Sequence, residues 1–222
     1  YSKKLGLVTI GGFMKTIEDV FYPEPTSIGN IPDSLVLARF PVEQSGSLSQ
    51  GIIDWYINNE HDAYLQGLEL EWQSNLTYLP EPFNGLVFNV NYTHVWSETK
   101  YLQHRVLSRF IPTPPFSEKI ENDTVYTNRL LHQANDIANV SLGYDYKGFS
   151  ARFSFRFQGN VIRAKGSRVE NNSYTGNVYR YDFVVKQRIP IKSAKMEVFF
   201  NAINFTNVPY TRYSIYPNKG AT

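Results

Sequence analysis

The residues that most often carry chemistry, nucleophiles and metal ligands, form no recognisable constellation in this chain. The four histidines, His61, His94, His104 and His132, lie too far apart for the spacing of a metal site, and there is no cysteine. No Gly-x-Ser-x-Gly elbow, phosphate-binding loop or dinucleotide fingerprint is present. The reading is therefore of a protein that is not an enzyme and that uses no metal and no cofactor.

The residues that do form a pattern are charges on every second position. Arg152 and Arg156 alternate with aromatics in one segment, and Arg180, Asp182, Lys186 and Arg188 do so in another. Five cations against one carboxylate leave an excess of four positive charges on one face of these two segments. Such a wall could dock an internal domain or guide an anionic ligand; the plainer account is a wetted surface with ion pairs between neighbouring strands. Glu69 and Glu71 are read the same way. A second group, Trp55, Tyr56, Arg105, Arg109 and Tyr126, falls in long irregular segments and combines large amphipathic surface with positive charge, which suits ligand contact.

The elements that must position these residues are strands. Leu68, Leu70, Trp72 and Leu76 alternate with Gly67, Glu69, Glu71, Gln73 and Asn75, so one face is apolar and the other polar. The same period of two predicts strands over residues 5–21, 63–78, 86–97, 137–146, 149–158, 179–189 and 195–205. Segment 149–158 is the cleanest, with Phe149, Ala151, Phe153, Phe155 and Phe157 against Ser150, Arg152, Ser154, Arg156 and Gln158. Lys147-Gly148 reads as a two-residue hairpin turn.

The connections are lopsided. Residues 79–85, 147–148 and 190–194 are short turns, whereas 22–59, 98–132 and 159–177 read as long polar loops, the first with a short hairpin around 35–40. Loops of roughly 20 to 40 residues far exceed ordinary connections and argue against a soluble β-sandwich. Alternating short and long connections are the mark of antiparallel strands that cross a membrane as a barrel. No run approaches the roughly 20 apolar residues of a membrane helix, and mean hydropathy is −0.36, a value barrels reach because half of each strand faces the lumen. Aromatics make up 15% of the chain, and Tyr22, Tyr64, Tyr92 and Trp96 at one end, with Tyr78, Phe83, Tyr144, Tyr146 and Phe149 at the other, are placed for two interfacial girdles. A net charge of +2 gives no basic patch for nucleic acid.

Residues 67–73 and 84–93, then 131–136 leading into 140–144 and 149–153, and finally 181–189 and 199–207, resemble in this order the late barrel strands of TonB-dependent outer-membrane receptors, especially those of Bacteroidota. The resemblance covers residues 5–207. It implies an all-β fold in which residues 1–222 are the C-terminal portion of an antiparallel transmembrane β-barrel. About seven to eight strands of a barrel of about 22 would be present, with short periplasmic turns and long extracellular loops. The expected partners are outer-membrane lipid, the protein's own plug domain and the TonB system, with room for a surface lipoprotein. The implied role is active uptake of a scarce nutrient, an iron chelate, cobalamin, a glycan or a peptide, across the bacterial outer membrane. The plug, the TonB box and the terminal strand are expected outside these residues. The alternatives are a passive porin-like channel and a soluble extracellular β-sandwich that binds carbohydrate or mediates adhesion.

Overall fold

The structure, a computed structural model, describes residues 6–27, 52–166, 168–192 and 194–214. The hairpin expected around 35–40 lies outside them. Among the described residues there is no α-helix, and the elements in chain order are β1 (Leu7–Ile17), β2 (Phe21–Ser27), β3 (Ile52–Asn58), β4 (Ala63–Asn75), β5 (Leu86–Phe110) and β6 (Ser117–Asn128). They are followed by β7 (Asp136–Tyr146), β8 (Phe149–Gln158), β9 (Val161–Ala164), β10 (Ser173–Thr175), β11 (Val178–Ile191), β12 (Ala194–Ala202) and β13 (Arg212–Ser214).

Seven strands form one antiparallel meander in the order β1-β4-β5-β7-β8-β11-β12, with β6 pairing the distal half of β5. The sheet is open: β1 and β12 are its two ends. Every expected strand is present, but three expected loops contain paired structure. Strand one ends at Ile17, and after a bend the chain starts β2, which pairs β3. Segment 98–132 is largely a hairpin, because β5 continues for 25 residues and β6 returns against it. Segment 159–177 supplies β9 and β10, which join β13 in a small three-stranded sheet.

Alternation sets the register, since a one-residue slip would invert every side chain. Val8, Trp72, Val90, Val140, Phe155 and Tyr181 lie side by side across six strands. The next row, on the opposite face, is Thr9, Glu71, Asn91, Asn139, Arg156 and Arg180. The turns lock this register. Lys147 and Gly148 both have positive φ, 44° and 83°, as a two-residue hairpin with the right twist requires.

The apolar face builds no core. Ile10 is 73% exposed, Leu70 46%, Leu142 49% and Phe200 61%. A soluble sandwich fills a core with this face; here no second sheet among the described residues lies on it. The buried apolar residues, Tyr22, Ala63, Val95, Tyr101, Leu130, Ala134, Val161 and Ile162, gather at the end of the sheet that carries the long connections.

Candidate functional site

Two surfaces bear the residues singled out from the sequence. The first is the polar face of the sheet. Register places Glu69, Glu71, Arg152, Arg156, Arg180, Asp182, Lys186 and Arg188 all on it. The excess of cations counted along β8 and β11 is reduced by their neighbours. Arg152 pairs with Asp145 of β7, and Lys186 and Arg188 share Glu197 of β12 at 2.8 and 3.0 Å. Arg180 Nε binds Asp182 Oδ2 at 2.9 Å along the same strand. These groups are one-quarter to two-thirds exposed, so each pair contributes little to stability and mainly wets the face.

Glycine shapes this wall at one position. A Cβ on Gly143 would stand 2.7 Å from the Arg152 side chain, so the missing side chain lets that guanidinium lie flat on the sheet and reach Asp145. Toward the middle of the sheet the polar face is carried by amides: Asn139 Nδ2 donates to Asn91 Oδ1 at 2.8 Å. Gln73 donates to Glu71.

The apolar face carries a polar cluster at its long-connection end. Tyr92 donates its hydroxyl to Asp136 Oδ1 at 2.6 Å, and His94 Nδ1 lies 2.6 Å from the same oxygen. Trp96 meets the His94 ring edge-on at 4.3 Å. At the opposite end Tyr144, Tyr146 and Phe149 cluster, with Lys147 4.8 Å from the Tyr146 ring centre. Amphipathic rings therefore border the apolar band on both sides.

The second surface is the assembly of excursions beyond the sheet. Glu24 on β2 forms a fully buried ion pair with Lys165, from the connection after β9. Lys165 also sits 5.5 Å from the ring centre of Tyr22. Tyr22 packs edge-on against Tyr101 of β5 at 5.2 Å, and Tyr101 contacts Tyr126 of β6. Tyr126 and Asn172 are joined by a 3.4 Å contact, and the Asn172 amide oxygen accepts from Gly166 N at 2.9 Å. The Tyr101 hydroxyl donates to Arg129 O and accepts from Leu131 N. Buried Asn59 donates to Thr99 Oγ1 and to Lys100 O, tying the end of β3 to β5. Three long connections are thus knotted into one body.

Electrostatics follows burial in this knot. Loss of water pushes the Tyr101 and Tyr126 hydroxyls up to about 12. Tyr22 is raised too, first by burial and then by the nearby carboxylates Glu24 and Glu60. All three phenols stay neutral at physiological pH and serve as hydrogen-bonding groups in a packed aromatic cluster.

The residues expected to contact ligand are distributed unevenly around the knot. Trp55 and Tyr56 lie on β3, and Tyr56 is 64% exposed with Phe21 edge-on to its ring. Arg105 and Arg109 lie on β5 opposite Asn122 and Glu118, with Arg109 exposed. Tyr126 belongs to the interior of the knot. Sequence reasoning missed Glu24, Lys165, Tyr101 and Asn172, which meet only through contacts distant in the chain. The one available signal was the continued alternation of Thr99, Tyr101 and Gln103, all buried.

No three His, Cys, Asp or Glu side chains among the described residues are grouped to hold a metal ion. No protein-family model, no curated protein and no solved structure matches this chain.

Proposed function

We propose that this chain is an arc of an outer-membrane β-barrel transporter, with the sheet as barrel wall and the knotted excursions as its exterior end. The observation that carries the reading is the apolar face. It extends from β1 to β12, bears exposed apolar side chains on each of the seven strands, and is backed by a face that is mostly polar, with Phe13, Val184 and Phe199 among the exceptions. Lipid is the environment that makes such a surface favourable, because the exposed Ile, Leu and Phe side chains then leave water. β7 and β8 have 11 and 10 residues, which matches the roughly 9–11 residues of a tilted membrane-crossing strand. The rings at both ends of the band suit the two half-wet interfaces.

In this reading each strand's backbone groups are satisfied by its neighbours, so the wall is rigid. Glu69, Glu71, Arg152, Arg156, Arg180, Asp182, Lys186 and Arg188 then line a wet interior. Their ion pairs keep that interior hydrophilic without a strong field of one sign. A plug domain, energised through the TonB system, would fill the interior, and nutrient capture would fall to the exterior knot.

Fractionation of the full-length protein tests the proposal. It is expected in the outer-membrane fraction, soluble only in detergent, and with an electrophoretic mobility that shifts on boiling as a barrel unfolds. Recovery as a soluble protein without detergent would overturn it. Steady ion conductance by the full-length protein in planar bilayers would favour the passive channel instead.

A further inference from the structure

Beside the knot, where the chain leaves β8 and returns through β10 and β13, lies a second constellation that neither the wall nor the knot uses. Arg129 reaches out with both terminal nitrogens, Nη2 donating to Asn160 Oδ1 at 2.6 Å and Nη1 to Asn135 Oδ1 at 3.4 Å. Asn160 Nδ2 in turn donates to the Tyr213 hydroxyl at 3.3 Å, and Asn177 Oδ1 accepts from Asn160 N at 2.9 Å. Tyr213 is paired across strands with Tyr174, their rings 5.6 Å apart and tilted by only 14°. Tyr213 remains 42% exposed.

We propose that Arg129, Asn160, Asn177, Tyr174 and Tyr213 form a saccharide-binding subsite at the exterior end. This rests on the reading of that end as the nutrient-capturing face. The chemistry is that of a sugar's two aspects. A pyranose shows a face of slightly positive C–H groups, which packs on the negative face of an aromatic ring. Its rim is a ring of hydroxyls, each both donor and acceptor, and a planar amide answers with an acceptor oxygen and two donors. The Arg129 guanidinium has donors beyond the two it spends on amide oxygens, and among the described residues it is bound to no carboxylate that would hold them.

The composition also disfavours other nutrients. A strongly anionic chelate calls for several converging cations, and this constellation has one. Neighbouring rings and amides held by mutual hydrogen bonds are preorganised, so little side-chain freedom is lost on binding.

The test uses the full-length protein in detergent, titrated calorimetrically with a panel of neutral and uronate-containing oligosaccharides. At least one is expected to bind. Tyr213→Ala is expected to weaken it tenfold or more, Tyr213→Phe much less because the ring remains, and Tyr78→Ala at the far end of the sheet not at all. Asn160→Asp, which keeps shape and alters the donor, should weaken binding without opening the knot to protease. Absence of binding by every oligosaccharide, or affinity unchanged in Tyr213→Ala, overturns the proposal. Flotation of the same preparation with phospholipid vesicles separates the two readings. A protein that inserts but binds no sugar loses only the subsite, and one that stays soluble yet binds through Tyr213 loses only the barrel.

Discussion

The sheet and the knot at its end solve the problem of apolar surface in opposite ways. In the sheet, Leu70, Leu142 and Phe200 stand open, and order comes from the backbone ladder and the alternation of side chains. In the knot, Tyr22, Tyr101, Val161 and Ile162 are buried, and even an ion pair is enclosed. In the proposed barrel the sheet would face a solvent that is itself apolar; the knot is packed as a water-soluble domain is packed. The difference implies that perturbing one region leaves the other standing.

The largest effect should come from the buried pair. Lys165→Ala removes the cation paired with the buried Glu24 carboxylate, and breaking a buried ion pair costs about 3–5 kcal/mol. The expected result is a knot that opens to protease in intact cells while the barrel still floats with membrane. Removing both charges with Lys165→Met and Glu24→Leu should recover most of the loss, since the desolvation cost disappears with the charges. If the single variant also abolished membrane assembly, the two regions would be one cooperative unit.

Lys165 also marks the limit of what could be read from the sequence. The sheet was legible because its pattern is local: Phe153, Phe155 and Phe157 alternate with polar residues over a few positions, and Lys147-Gly148 fixes the neighbour. The distal half of β5 and all of β6 were not legible as strands, because their buried positions include polar Thr99 and Gln103 and charged residues such as Glu118 and Glu121 follow, so the alternation there is not one of apolar with polar. The prolines at 112–115 suggested a loop and in fact form only its tip. The expected contact residues fall on these excursions, but the pairing of Glu24 with Lys165 spans 141 positions, and no local rule reveals it.

The next effect is confined to the sheet. Val140 and Asn139 are neighbours on opposite faces, in the two central rows. In the proposed barrel Val140→Arg would place a charge in mid-bilayer and should cost about 2–4 kcal/mol, whereas Asn139→Arg would join the wet face and should be close to neutral. Urea titration of the protein refolded into phospholipid vesicles reads both. Equal effects would remove the distinction between a lipid face and a lumen face. Smaller again is Gly148→Ala in the tight turn, where φ is 83° and a Cβ costs about 1–2 kcal/mol. It should destabilise the sheet in the same titration and leave protease resistance of the knot unchanged.

The last contrast is silent at neutral pH and appears only in alkali. Burial raises Tyr101 and Tyr126 from 10.0 to about 12, so between those values the closed knot holds protons that the opened knot releases. Stability is therefore lost as pH rises: the contribution is complete below about pH 10 and gone above about 12. Phenolate absorbance should report two tyrosines that ionise late, and protease sensitivity of the knot should rise over the same interval. Tyr101→Phe removes one of these protons together with its bonds to Arg129 O and Leu131 N. It should shorten the late phase by one phenol and weaken the knot at neutral pH, with the sheet's urea midpoint unmoved. A sheet that loosened in step with the phenolate signal would mean that the knot clamps the wall, and the two regions would then share one stability.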